Sequence, residues 1–529
     1  MGYSLATRIP YREEYVNTFI DNFIYVYKGG IPLQNYYTRR IIMFFNSYEF
    51  IFIFFPISLC LYWGSCHFNF KKYANIILLM ISIIFYINLT DIIGIIVILV
   101  SIISNFALYK VLENNTRYKK SFFIIGVLIN IGMLGYFKYA NFFISNINTF
   151  FNFDMSITKF IAPIGMSFFT FQQISFISDT YHSANTFHYK FVDYTLHILF
   201  FGYILSGPIT RHDQIIKQFS DKDRKIFNYD SFSKGIITFT IGLFKKVIIA
   251  DTLAKFADIG FGNIDNLNTT TAILTTLAYT LQIYFDFSGY SEMAYGIGNM
   301  FNLTLPVNFN LPYQSKSLIE FWKRWHITLT KFLTDYIYIP LGGNRKGQIR
   351  MYVNTIFVFF ISGLWHGANW TFILWGCLHG ILLGLNKYFR GQWNKLNDVL
   401  QWLITFSIIN CLWILFRADS IHEAIHFFTK LIVCDFGAID NTFNICFIFP
   451  EFTKLLSIAH IYSSRYSIFT VFIFLLLILY ILQEKNIINC VEEHLNKYLN
   501  LKHIALFSVL FLWSIYSLGT IVSYIYVNF

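Results

Sequence analysis

Long stretches without Asp, Glu, Lys or Arg recur along the chain and set its architecture. They cover residues 50–70, 73–90, 92–109, 121–137, 160–178 and 194–210, then 269–285, 351–386, 399–416, 466–483 and 504–529. A helix needs about 20 apolar residues to cross a bilayer, and only helices or closed barrels satisfy their backbone in lipid. The runs lack the period-two alternation of barrel strands, so they predict an all-α integral membrane protein. With 351–386 counted as two helices, about 11–13 transmembrane or re-entrant segments are expected. Pro163 and Gly165 fall inside the run 160–178 and mark it as re-entrant.

The charges between the runs predict an orientation. Lys71 and Lys72 follow the first run, and Lys110, Arg117, Lys119 and Lys120 follow two runs later. The link between those two runs carries only Asp91. The positive-inside rule places both basic clusters in the cytoplasm and Asp91 outside.

Composition agrees with the pattern. The chain is 56% hydrophobic and 13% charged, where a soluble domain carries about 25% charged residues. Its net charge of +11 comes from 40 basic and 29 acidic residues. The basic residues sit in short clusters between apolar runs, which points to lipid headgroups and orientation and away from nucleic acid. Seven cysteines show neither CxxC pairing nor zinc-finger spacing with histidine. They read as packing residues, and no metal site is expected.

Residues 1–42 carry Arg8, Arg12, Lys28, Arg39 and Arg40, which resist export, and they contain no apolar core of a signal peptide. The expectation is that translation starts at Met43 and that 1–42 is an artefactual N-terminal extension. An ordered extra helix is the alternative. Residues 43–529 read as one membrane domain without internal repeats.

Four polar patches interrupt the apolar background. In residues 317–347, Ser317 and Glu320 make a capping box that starts a helix. Leu318, Phe321, Trp322, Trp325, Leu329, Phe332, Leu333 and Tyr336 form its apolar stripe, and Pro340 with Gly342–Gly343 ends it. Glu320–Arg324 and Lys331–Asp335 are expected i,i+4 pairs, with Lys323, His326 and Thr330 on a neighbouring face. Such a helix either lies in the interface or turns His326 towards a cavity. In residues 283–298, Asp286 and Glu292 flank Ser288 and Tyr290, and Asp286 is either a functional intramembrane acid or a tie between helices. In residues 205–213, Gly207–Pro208 breaks a helix before Arg211, a residue suited to a headgroup contact.

The fourth patch, "SGLWHGANWTF" at 362–372, lies inside the longest uncharged stretch. His366 stands between Gly363 and Gly367, with Trp365, Asn369 and Trp370 around it. The glycines allow close approach of another helix or of a substrate chain. No HExxH, GxSxG, Walker A or Rossmann pattern accompanies it. A histidine without a protein nucleophile suits direct acyl transfer, in which neutral imidazole takes a hydroxyl proton as the oxygen attacks a thioester. The intrinsic pKa of about 6.5 keeps much of such a ring neutral at cellular pH.

Taken together, the motifs resemble the membrane-bound O-acyltransferase family, in particular its bacterial polysaccharide branch of alginate and peptidoglycan O-acetylation subunits. The matching stretches are "FNSYEFIFIFFPISLCLYW" (45–63), "PIGMSFFTFQQISFISDTY" (163–181), "SGPITR" (206–211) and "GLFKKVIIADTLAKFAD" (242–258). They continue with "FDFSGYSEMA" (285–294), "FWKRWHITLTKFLTDYIYIPLGGNRKG" (321–347), "SGLWHGANWTFILWGCLHG" (362–380) and the close "YIYVNF" (524–529). The likeness covers 43–529 and weakens after about residue 420. It departs at Glu292, where Asp is common, and at "DTYHS" (179–183), where Arg-Gly usually follows the tyrosine.

The resemblance implies a ring of tilted helices around a central funnel, in the bacterial cytoplasmic (inner) membrane. It implies His366 as the near-invariant catalytic histidine and His326 as the second, with Asp286, Asn369 and Trp365 in support. It implies acetyl-CoA as donor substrate, no permanently bound cofactor, and a periplasmic or other extracytoplasmic acetyltransferase partner. Two other readings stand beside it. One is D-alanyl transfer from a carrier-protein thioester, as in the more distant teichoic-acid branch, whose members look shorter. The other is a proton-coupled transporter or flippase, against which no matched halves with broken helices are visible.

Overall fold

In the computed structural model the apolar runs become helices, several of them interrupted by turns or π-helical stretches. The described residues are 43–68, 70–114, 117–156, 162–182, 188–447 and 466–518, and every regular element among them is helical. The extension 1–42 and the family-like close at 524–529 lie outside them. From Met43 onward the described residues form one compact unit.

The elements that position the site are, in chain order, α1 (Phe55–His67), α2 (Ala74–Leu89), α3 (Ile92–Asn114), α4 (Lys119–Leu134), α5 (Ala140–Phe151), α6 (Met166–His182) and α7 (Tyr229–Phe244). There follow α8 (Thr269–Met300), α9 (Leu318–Arg324), α10 (Ile327–Leu333), α11 (Gln348–His366), α12 (Trp370–Tyr388) and α13 (Asp398–Arg417). Among the described residues five stretches are long and apolar enough to cross a membrane: Glu49–His67, Lys71–Leu89, Ile92–Asn114, Lys119–Phe151 and Asp398–Arg417. The bent pair Ile468–Gln483 and Ile487–Glu493, meeting at 46°, makes a sixth if taken as one span. The chain is thus a multi-pass helical membrane protein with fewer full spans than its apolar runs suggest. The run 194–210 shows why: its helix, Phe191–Leu199, stops well before Gly207–Pro208 and gives way to turns.

Side-chain ties sort the loops onto two faces. Lys225 Nζ donates to the Lys71 carbonyl at 3.3 Å, His188 lies 2.6 Å from Glu113, and Asn75 bridges Asp193 (2.7 Å) and the Phe219 carbonyl (3.0 Å). These contacts gather the basic loops on one face. On the other, Tyr86 donates to the Ile164 carbonyl (3.1 Å) and the Trp370 indole to Asn146 (2.9 Å). Helices α2, α6 and α11 each run between the two faces.

At the centre α7 and α8 pack backbone to backbone. A Cβ on Gly242 would sit 2.5 Å from the Gly289 carbonyl oxygen, and one on Gly289 would sit 2.7 Å from that of Gly242. Without a hydrophobic drive between helices in lipid, such small residues allow the close contact that holds helices together. The π-helical turn Lys245–Ala250 then turns two consecutive lysines inward. Lys245 pairs with Glu292 and Glu484, both at 2.7 Å, and Tyr284 donates to Glu484 at 2.7 Å. Lys246 pairs with Asp251 at 2.8 Å and with Asp286. Asp286 therefore ties α8 to the π-helical turn after α7.

Candidate active site

The segment carrying His326 is not the continuous helix that its stripe predicts. The capping box forms, with Ser317 Oγ accepting from the Glu320 N–H at 3.1 Å, and Glu320 pairs with Arg324 at 2.6 Å. The helix then breaks at His326, whose φ of +44° is left-handed, so α9 and α10 are separate. The break has a polar cause. The Ile327 N–H donates to the Asn308 carbonyl (2.9 Å), and Asn308 Oδ1 accepts from the Thr328 N–H (3.2 Å) and hydroxyl (2.9 Å). A loop 18 residues upstream thus replaces the helical partners of this turn. The predicted Lys331–Asp335 pair is also absent, because Asp335 pairs with Arg211 at 2.5 Å. Arg211 is therefore engaged within the protein.

His326 is fully buried. Its Nδ1 lies 3.1 Å from Asn308 Oδ1. The backbone N–H of Thr328 fixes that amide atom as oxygen, so Nδ1 carries the proton and, in the neutral ring, Nε2 carries the lone pair. Phe287 of α8 packs edge-on at 4.8 Å. Thr328 Oγ1 also accepts from the Ile209 N–H at 3.1 Å, which docks the "SGPITR" segment beside the ring.

His366 is the last residue of α11 and is 2% exposed. Trp365, Trp375 and Phe416 stand edge-on to it with centroids at 4.9, 5.2 and 5.0 Å. The helix runs in from the basic end at Gln348, so nineteen residues at about 1.5 Å each put His366 roughly 28 Å along it. The glycine beside it serves helix packing: a Cβ on Gly363 would lie 2.2 Å from the Phe372 carbonyl, and one on Gly376 would lie 2.2 Å from that of Phe359. The α11–α12 crossing is what brings Trp375 against the histidine.

Trp365 joins the two histidines. Its ring lies 4.9 Å from His366 and 5.9 Å from His326. Asn369 has another role. Its Oδ1 accepts from the Thr371 N–H (3.1 Å) and its Nδ2 donates to the Asp419 carbonyl (2.8 Å), so it caps α12 and shapes the turn after His366. Asp286 sits in its own ion cluster with Lys246. The other histidine of the uncharged stretch, His379, accepts from the Trp322 indole at 3.2 Å and fastens α9 to α12.

Two neighbours of the site escaped the sequence reading. Asn308 left no signal, since its role depends on a contact across the fold. Lys138 left a clear one: it is the one charged residue between Lys120 and Asp154. It directly follows the apolar run 121–137, where a charge is expected at the end of a span.

A cavity of about 160 Å³ is lined by Ser175, Arg211, Thr328, Lys331 and Tyr336. It ends at Thr328, next but one to His326. Lys331 and Arg211 in its lining, the latter paired with Asp335, give it a cationic character that suits an anionic group.

The sequence model of the membrane-bound O-acyltransferase family matches residues 118–418, which contain both histidines. The peptidoglycan O-acetyltransferase of Helicobacter pylori is 38% identical over 418 residues, 73% of this chain and 79% of that protein. The probable alginate O-acetylase AlgI of Pseudomonas aeruginosa is 38% identical over 389 residues, 72% of this chain and 73% of that protein. The teichoic acid D-alanyltransferase of Bacillus subtilis is 27% identical over 279 residues, 50% of this chain and 70% of that protein. By these matches the chain belongs to the membrane-bound O-acyltransferase family and is a multi-pass O-acyltransferase.

Proposed function

We propose that this protein carries acetyl groups through the bacterial inner membrane for O-acetylation of an exported or cell-wall polysaccharide, peptidoglycan or an alginate-like polymer. The donor is a cytoplasmic thioester, acetyl-CoA, and an extracytoplasmic acetyltransferase partner receives the group or places it on the glycan. The observation that carries the reading is the arrangement of cavity, His326, Trp365 and His366 between the basic and the opposite face. The helices are taken as a ring around a thin centre reached from both sides.

In the chemical step His366 removes the proton of the acceptor hydroxyl. The oxygen adds to the thioester carbonyl, the C–S bond breaks, and the thiolate leaves towards the cytoplasm and takes up a proton. A positioned base of this kind contributes about 10²–10⁴-fold. His326 lines the donor side, its ring held by Asn308. Acetyl is favoured over D-alanyl because the relatives named for O-acetylation are more identical and share more of the chain.

The test is base-labile acetyl on the cell's surface glycan, normalised to the protein in the membrane. His366→Ala should lose 10²–10⁴-fold with nearly normal protein. Near-normal acetylation in that variant removes histidine base catalysis. Release of D-alanine in place of acetate would shift the reading to the carrier-protein donor.

A further inference from the structure

Lys138 is a half-buried cation for which the reaction above has no use. It lies in the π-helical turn Gly135–Tyr139 between α4 and α5. Among the described residues no carboxylate pairs with it. Its Nζ donates to the Trp365 carbonyl at 2.5 Å and to Ser167 Oγ at 3.0 Å. The next side chain, Tyr139, donates its hydroxyl to the Leu364 carbonyl at 2.7 Å. The Trp365 indole reaches the Ser167 carbonyl at 3.4 Å.

These carbonyls belong to the last turn of α11. The final four carbonyls of a helix have no partner within it, and a cation beside them is stabilised by the helix dipole. Tyrosine alone, or water, would satisfy such groups at far lower cost than an ammonium without a counter-ion in apolar surroundings. An intramembrane charge without a partner acid marks function. Here Lys138 bonds Trp365 and its neighbour Tyr139 bonds Leu364, the two residues that precede His366, and Trp365 is the ring between the two histidines.

We propose that Lys138 is a positioning residue for acyl transfer. With Tyr139 it clamps the terminal carbonyls of α11 and so fixes the His366 ring and the Trp365 spacer relative to His326. This rests on His366 being the base. A misplacement of about 1 Å at a reacting group can cost 10²-fold in rate, so a clamp on the turn that carries the ring acts on turnover.

The experiment compares Lys138→Met, Lys138→Arg, Tyr139→Phe and His366→Ala in the full-length protein in its native membrane. Acetyl per membrane protein is read beside the melting temperature in detergent. Lys138→Met should lower acetylation about 10–100-fold at a nearly unchanged melting temperature, because it removes a half-buried charge that has no carboxylate partner among the described residues. Lys138→Arg should restore most of the activity, and Tyr139→Phe should lose a few-fold. Normal acetylation in Lys138→Met, or a loss that only tracks the amount of protein, overturns the proposal. If Lys138→Met does not accumulate, Tyr139→Phe and Ser167→Ala decide, since each removes one bond of the clamp; wild-type acetylation in both overturns it. Full activity in His366→Ala would instead remove the reading on which the clamp rests.

Discussion

His326 holds a backbone conformation that a side chain rarely adopts, and that separates its two possible roles. An L-residue in the left-handed region costs roughly 1–2 kcal/mol relative to glycine, and φ here is +44°. His326→Gly should therefore fold about as well as the wild type, while His326→Ala should be less stable by about 1 kcal/mol. If the ring works in the reaction, both should lose acetylation to a similar extent per folded molecule. Activity in the glycine variant near the wild-type level would make the histidine purely structural. This residue stood out in the sequence because a titratable ring lay in an apolar segment, and His366 stood out for the same reason. Their partners stood out less. Asn308 reaches His326 through a loop, and no periodicity encodes that contact. Asn369 was legible as polar, and its cap on α12 is local, but its second bond, to the Asp419 carbonyl fifty residues away, is not encoded nearby.

At the scale of the element, breaks and crossings do the positioning. The apolar stripe in 317–336 turns inward, since Phe321, Trp322, Trp325, Leu329, Phe332 and Leu333 all lie in the core. What the stripe could not show is the interruption, because periodicity continues in phase across a left-handed residue while the hydrogen bonds pass to Asn308. The capping box was legible since it is local, within four residues. The predicted Lys331–Asp335 pair was overridden by Arg211, a partner 124 residues distant. The α11–α12 crossing carries a further prediction. A Cβ at Gly363 would stand 2.2 Å from a backbone oxygen that cannot move far. Gly363→Ala should push the helices apart and withdraw Trp375 from His366. We expect lower thermal stability, by about 1–3 kcal/mol as in overpacked cores, and a loss of acetylation beyond the loss of protein. Measurement of melting and of acetyl content on one preparation checks this. An unchanged melting temperature would mean that the crossing is softer than its geometry implies.

For the molecule as a whole, helical class and membrane residence followed from the spacing of charges, because burial of backbone in lipid leaves few alternatives. The number of full spans did not follow, because an uncharged run also describes a helix buried in protein, such as the almost wholly buried α8. Orientation remains a statement about loops, and the fold gives it a sharper form. Lys71 and Lys225 meet on one face, and α2 carries the chain from there to Asp91. From α5, which meets Trp370 through Asn146, the chain continues to Asp154, so Asp91 and Asp154 should share the face that His366 approaches. If the basic face is cytoplasmic, a cysteine at either aspartate should react with an impermeant thiol reagent in intact cells, and one at Lys72 only after the membrane is opened. The background for this must lack Cys60, Cys411 and Cys434, which are exposed. Labelling of Asp91→Cys and Asp154→Cys from opposite sides would contradict the fold. Labelling of both from inside would keep the fold and invert it in the membrane, so that the cavity at Arg211 and Lys331 would face outward and could not receive a cytoplasmic thioester.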